Sequence, residues 1–294
     1  MRNRNWAEYN RQLVQRGSLT FLVDPKMLHT KKCKSRGRPT EFSDALIVML
    51  FTIKIQYRLP YRALEGFATW IFGYMYPDLI VPSYSLICKR VAKLGYSLPQ
   101  LSHCRSQTVL IDASGVKVMG EGEWKVKIHG KSKRRKWLKV HIAVDAESQQ
   151  IVAEMTTEST VADSLMTQAL LDQAGNSVKT VIADGAYDRS NARDAIKKNK
   201  ARALIPPARN ARYKGKNDER DVSILQITGL GADEEARRLW GKLSGYSQRA
   251  LAETAFSRFK RLFGDRLFSK DIEKQRVEVR TKFLLLNRMN TLAT

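Results

Sequence analysis

The hydrophobic pattern divides the chain into two textures. From residue 41 to 95, apolar residues recur at helical spacing. Ser43 is placed to cap an apolar segment running from Ala45 to Ile55. Pro60 suits the first turn of a second helix, with Leu64, Phe67 and Ile71 on one face. Ser83 opens a third, in which Ile87, Val91 and Leu94 turn inward, Lys89, Arg90 and Lys93 turn outward, and Gly95 stops the helix. Two helices followed by a basic third fit a helix-turn-helix-like DNA reader. They fit equally an ordinary helical bundle with a solvated basic face.

Near residue 105 the pattern changes. Thr108 to Asp112 reads as a strand buried on both faces. Trp137 to Asp145 alternates, with Leu138, Val140, Ile142 and Val144 on one face, and Gln150 to Thr156 pairs back as a hairpin. Ser164 to Ala174 reads as a helix, Val178 to Ala183 as a buried strand, Asn191 to Asn199 as a helix and Ala203 to Ile205 as a short strand. A helical C-terminus follows. This order predicts an α/β layer fold around one central sheet.

Two acids follow buried runs directly: Asp112 after Val109-Leu110-Ile111, and Asp184 after Val181-Ile182-Ala183. A carboxylate attached to a buried strand needs a charge partner or a metal. The small residues after each leave room for the oxygen-rich, partly hydrated site that Mg²⁺ prefers. The plainer alternative is that each caps a turn. Turn chemistry accounts for Asp145, and Asp188 is placed to cap the helix beginning near Ser190.

The segment from Gly245 to Phe263 carries a stripe that is neither core nor solvent. At ~100° per residue, Tyr246, Arg249, Glu253 and Lys260 share a narrow arc bordering the apolar face of Ala252, Ala255, Phe256, Phe259, Leu262 and Phe263. Glu253 becomes a third metal ligand if this helix packs beside Asp112 and Asp184. Arg249 and Lys260 are placed to hold phosphates, and Tyr246 to stack or donate. Read alone, Arg249 and Glu253 are also an ordinary i, i+4 pair.

Charge sharpens the picture. Among 294 residues, 52 Lys and Arg face 29 Asp and Glu, a net charge of +23 that calls for a polyanion as partner. The cations cluster. Lys133, Arg134 and Arg135 lie in a basic run between the first two strands, near Trp124 and Trp137, which are placed to stack on bases. Arg36 and Arg38 flank Gly37 before Pro39, as in a minor-groove hook. The apolar runs are far shorter than the ~20 residues that span a bilayer. Three dispersed cysteines point to a reduced, cytoplasmic protein.

Together these residues resemble bacterial insertion-sequence transposases of the DDE class. One large group of them carries Tyr, two residues, Arg, three residues, Glu, six residues, Lys, the spacing of Tyr246, Arg249, Glu253 and Lys260. The neighbourhoods Leu110-Ile111-Asp112-Ala113-Ser114 and Ile182-Ala183-Asp184-Gly185-Ala186-Tyr187-Asp188 are similar to that family too. Gly37-Arg38-Pro39 and Pro60-Tyr61-Arg62-Ala63-Leu64-Glu65-Gly66-Phe67 resemble its "five" branch, within the "four" superfamily.

The resemblance implies an RNase H-like mixed central sheet flanked by helices in residues 105–294. An N-terminal helical, helix-turn-helix-like DNA-binding region occupies residues 1–104. It implies that Asp112, Asp184 and Glu253 are catalytic and hold two Mg²⁺ or Mn²⁺ ions, and that Tyr246, Arg249 and Lys260 contact DNA. Lys89, Arg90, Lys93, Lys133, Arg134, Arg135, Arg36 and Arg38 join them as DNA-binding candidates. The expected activity is cleavage at terminal inverted repeats and joining to target DNA, by a homodimer in the synaptic complex, with no membrane partner and a nucleoid-associated location. The stretch between Asp184 and Glu253 exceeds a minimal core and reads in part as an insertion whose start, Arg209 to Arg220, is basic. The rival readings are an inactive transposase-derived DNA-binding protein and a metal-dependent nuclease on the same fold.

Overall fold

The computed structural model describes residues 5–18, 22–23, 41–96, 98–102, 104–118, 137–216 and 218–291. In chain order the helices are α1 (Trp6–Gln15), α2 (Asp44–Tyr57), α3 (Tyr61–Met75), α4 (Tyr84–Val91), α5 (Thr167–Ala174), α6 (Ser190–Lys198), α7 (Glu219–Gly229), α8 (Glu234–Leu243), α9 (Ala250–Phe263) and α10 (Ile272–Thr291). The strands are β1 (Thr108–Val118), β2 (Trp137–Asp145), β3 (Ile151–Glu158), β4 (Thr180–Ala183), β5 (Arg202–Leu204) and β6 (Arg266–Leu267). No helix among the described residues is long and apolar enough to cross a membrane.

The chain forms two compact units, Met1–Gln100 with Leu267–Thr294, and Leu101–Arg266. The C-terminal helix thus groups with the N-terminal helices, whereas the sequence division at residue 104 leaves it with the sheet. In the helical unit, Ser43 and Ser83 cap α2 and α4, each hydroxyl accepting a backbone N–H three residues on, from Leu46 (3.0 Å) and Leu86 (3.4 Å). α2 is apolar nearly all round, from Leu46 to Ile55, so it needs neighbours on several sides. α10 brings Val277, Val279, Phe283, Leu285, Leu286 and Met289 into the buried set.

α10 also buries charge. Glu278 and Lys282 pair at 2.9 Å with side chains only 4% and 3% exposed. The Glu278 carboxylate further accepts from the N–H groups of Phe268 (3.1 Å) and Ser269 (2.9 Å). Burial works against its charge, but Lys282 and these donors outweigh that and hold its pKa below the usual range. Truncation would strand Lys282 without its carboxylate. Glu278→Ala is expected to cost about 3–5 kcal/mol in urea unfolding, with Glu278→Gln costing less because it keeps an acceptor for the two N–H groups.

In the other unit the sheet order is β3-β2-β1-β4-β5, with β6 pairing β1 off this path. β1, β2 and β3 are successively antiparallel, while β4 and β5 run parallel to β1. This is the expected mixed central sheet flanked by helices. Val109, Leu110 and Ile111 are fully buried, as are Val144, Val181 and, within 2%, Ile182 and Ala183, because helices cover both faces. Val109, Ile111, Val181 and Ala183 share a core with α5 and α6 through Leu170, Leu171, Ala192 and Ile196. α9 packs on the opposite face of β1 and β2 through Ala252, Ala255, Phe256, Phe259 and Phe263.

Asp145 ends β2 as the sequence suggests. It accepts from the N–H groups of Arg105, Ser106, Glu147 and Ser148 at 2.6–3.0 Å. Beside it on β2, His141 is fully buried, with Nε2 2.8 Å from the Thr157 hydroxyl and Nδ1 3.5 Å from Asp163. Burial pushes its pKa down to about 4, with Asp163 opposing and Lys139 assisting. The unfolded chain therefore binds this proton near pH 6.5 and the native chain only near pH 4. Stability is expected to be complete above pH 6.5 and to fall as the pH drops from 6.5 toward 4. Urea unfolding across that window checks it, and His141→Gln should flatten the slope.

Candidate active site

The pairing of β1 with β4 builds the site. Ile111 lies in register with Ala183 on the parallel neighbour, so the next residue on each strand is an aspartate: Asp112 and Asp184. Adjacent strands are only ~4.8 Å apart, and the two carboxylates lie side by side where the pairing of β1 with β4 ends, although β1 itself runs on to Val118 rather than stopping at Asp112. Asp112 is 14% exposed, and its Oδ1 accepts the Ala113 N–H at 2.9 Å. Asp184 caps the short turn Gly185–Tyr187, its Oδ1 accepting from Ala186 at 2.9 Å. The turn-cap alternative is therefore true of Asp184, and it engages one oxygen of the carboxylate.

α9 and the turn before it carry the remaining signature residues over the Asp112 face of β1. Alternation along the strand puts Asp112 and Ser114 on one face and Ile111 and Ala113 on the other. Lys260 donates to the Ser114 hydroxyl at 2.7 Å. Near the other end, Arg249 forms an ion pair with Glu253 and places Nη1 4.0 Å from Asp112 Oδ1. Burial raises the Asp112 pKa, the Ala113 N–H and Arg249 oppose the rise, and the charges of Asp184 and Glu253 add to it. Asp112 thus feels both of the other acids. Among the described residues, no group of three His, Cys, Asp or Glu side chains is drawn tightly enough to hold a metal ion as it stands. Arg249, bridging Asp112 and Glu253, supplies the positive charge there.

The helix does not begin where its periodicity does. Gly245, at φ +83°, ends the preceding helix, and Tyr246–Arg249 forms a single 3₁₀ turn before α9. A left-handed backbone at this position favours glycine. Tyr246 leans on Trp240 of α8, with ring centroids 5.7 Å apart and planes at 34°. Burial raises its phenol pKa, Arg249 opposes, and Asp184, Glu253 and Asp112 add to the rise. An open cleft of about 670 Å³ lies beside Tyr246, lined also by Arg209, Arg237, Arg238 and Trp240.

Several groups here are absent from the sequence reading. Trp240 supports Tyr246 from the insertion, and the Arg237-Arg238-Leu239-Trp240 run was its signal. Asp188 does not cap α6. Its side chain, 2% exposed, instead takes Arg193 (2.8 Å), Arg220 (3.0 Å) and the Ala208 N–H (3.1 Å), pinning the insertion to the strand end. The basic start of the insertion is also tethered: buried Asp221 accepts the N–H groups of Lys214 (3.0 Å) and Lys216 (2.7 Å). Arg90 does not turn outward as its wheel position predicts. It is half-buried, pairs with Asp44 and donates to the Phe42 carbonyl, leaving Lys89 and Lys93 as the exposed cations near the end of α4. Arg36, Arg38, Lys133, Arg134, Arg135 and Trp124 lie outside the described residues.

Two solved structures align at 10% identity: a Mos1 mariner paired-end complex with Mn, covering 99% of this chain and 88% of that one at a TM-score of 0.24, and a pre-cleavage Mos1 transpososome, covering 96% and 85% at 0.23. Residues 14–121 match a family model described as a transposase DDE domain. Residues 103–288, which hold Asp112, Asp184 and the whole Tyr246-to-Lys260 signature, match another model of the same description. The chain belongs to the DDE transposases.

Proposed function

We propose that this transposase cuts DNA at the terminal inverted repeats of an insertion sequence and joins the freed ends to target DNA, as a member of the "five" branch with the Tyr-Arg-Glu-Lys signature. The observation that carries this reading is the register of β1 against β4, which sets Asp112 beside Asp184 beneath the signature helix. In this proposal Asp112, Asp184 and Glu253 are the catalytic acids. They suit hard divalent cations, because all are carboxylates and because their mutual repulsion, felt at Asp112, is what a bound cation relieves. Two Mg²⁺ or Mn²⁺ ions held there supply Lewis-acid activation of a phosphodiester and of the attacking water or 3′-OH.

The chain's own residues supply position. Lys260, held over the strand by the Ser114 hydroxyl, is a point charge for a DNA phosphate. Arg249 offers a planar fork to a second phosphate, and Tyr246, propped by Trp240, presents a ring edge and hydroxyl beside them. The helical unit, with Lys89 and Lys93 exposed, reads the element ends, assisted by Arg36, Arg38 and the Lys133-Arg134-Arg135 run. Two ends must be joined, so the working assembly is a homodimer on paired DNA ends, at the nucleoid. The net charge of +23 supports the polyanion partner.

The test is purified protein with Mg²⁺ or Mn²⁺ and oligonucleotides bearing the inverted repeats. Asp112→Asn is expected to lower cleavage and joining by more than about 100-fold, beyond the usual cost of disturbing a group outside the ligand set, while end binding persists. Full joining by this variant refutes the assignment. Lys260→Ala is expected to weaken DNA binding similarly across sequences and to reduce the salt slope of log K by about 1, read by fluorescence anisotropy over a salt series.

A further inference from the structure

Arg249 is the one signature residue whose present partners are the acids themselves. Its guanidinium spans the site: one arm pairs with Glu253 and the other lies 4.0 Å from Asp112, on a side chain only 23% exposed. The cation is therefore placed within the acid cluster, held against two of the three carboxylates that the proposed function assigns to metal. Lys260, by contrast, is held by a neutral hydroxyl. Glu253 is 56% exposed on the first turn of α9 and free of the sheet's packing, so its direction is set by the arginine. A guanidinium fork fits a phosphate as well as it fits a carboxylate.

We infer that Arg249 gates metal loading: in the DNA-free chain it holds Glu253 and screens Asp112, and a DNA phosphate must draw its fork away before the carboxylates take up divalent ions. The inference rests on the proposed metal-dependent reading and adds its regulation. Charge balances on both sides of the exchange. One arginine–carboxylate contact is replaced by an arginine–phosphate contact, and the released carboxylates are repaid by the incoming cation. Because the coupling is a binding free energy, it is reciprocal. Phosphodiester binding tightens metal binding by the same factor by which metal tightens the phosphodiester. The site then assembles only where there is a strand to act on.

The experiment measures Mn²⁺ binding to the full chain by the loss of the free-ion electron paramagnetic resonance signal, with and without a random-sequence DNA duplex at low salt. Wild type is expected to bind Mn²⁺ at least about fivefold tighter with the duplex, the lower end of usual couplings. Arg249→Gln is expected to bind Mn²⁺ at least about fivefold tighter than wild type without DNA, and to lose most of the increment that DNA brings. Arg261→Gln, which removes an equal charge from an exposed position on the same helix, controls for net charge. If Arg249→Gln binds Mn²⁺ no tighter than Arg261→Gln, the gate is overturned. Asp112→Asn separates the two levels. If it binds Mn²⁺ as wild type does, the metal reading itself fails, whereas loss of Mn²⁺ in Asp112→Asn with no gain in Arg249→Gln sinks the gate alone. Circular dichroism of each variant confirms that binding changes are not unfolding.

Discussion

The parallel register between β1 and β4 is the constraint on which the rest depends. Four residue pairs, from Thr108 with Thr180 to Ile111 with Ala183, hold it. Their side chains are apolar and buried on both sides at Val109, Ile111, Val181 and Ala183. A slip of one residue would turn these to the wrong faces and would also separate the two aspartates. The same burial that makes the register stable thus brings two like charges together where β4 ends beside the middle of β1. That juxtaposition is unfavourable by itself: burial is the main cause that raises the Asp112 pKa, and the charges of Asp184 and Glu253 add to it. It persists because a buried core of much larger area holds the strands, and because a cation stands nearby.

The helix above the strands is phased by its own core. Ala252, Ala255, Phe256, Phe259 and Phe263 fix the rotation of α9, and that rotation delivers Lys260 to Ser114. The 3₁₀ turn at Tyr246–Arg249 is tighter than an α-helical turn, so positions before Ala250 are displaced from a continuous wheel. Arg249 nevertheless stays on the acid side. The four signature residues are therefore set by two separate devices: apolar packing for Glu253 and Lys260, and a glycine-initiated turn for Tyr246 and Arg249.

Much of this was legible in the chain. Strands buried on both faces announce themselves as short apolar runs, which is why Asp112 and Asp184 stood out, and β2 begins and ends at the expected Trp137 and Asp145. The polar stripe bordering the apolar face of the segment from Gly245 to Phe263 marked Glu253 and its helix, and the resemblance gave that acid a role. Partners of charged side chains were not legible. Nothing in the spacing of Asp188 distinguishes a helix cap from a clamp on Arg193 and Arg220, because the second arginine arrives from the distant insertion. Arg90 likewise turns to Asp44 across a gap in sequence that helical periodicity does not see. The grouping of α10 with the N-terminal helices is a tertiary choice, made by its buried apolar residues and the Glu278–Lys282 pair.

The insertion is more than an appendage to a minimal core. Asp188 ties it to the turn after Asp184, and Arg237 ties α8 to the carbonyls of Pro207 (2.9 Å) and Ala208 (3.3 Å). Trp240 is fixed in turn, its indole N–H bonded to Gln226 of α7 at 3.0 Å. Tyr246 rests on that ring. The orientation of a signature tyrosine is therefore set by a helical pair that lies between the second and third acids in sequence. Among the cations of the insertion, Arg220 and Arg237 hold it in place, and Arg237 also lines the cleft beside Tyr246 together with Arg209 and Arg238. A chain that sets buried ion pairs and hydrogen bonds to steadying one aromatic ring near Asp112, Asp184 and Glu253 is built to present that ring in a fixed pose.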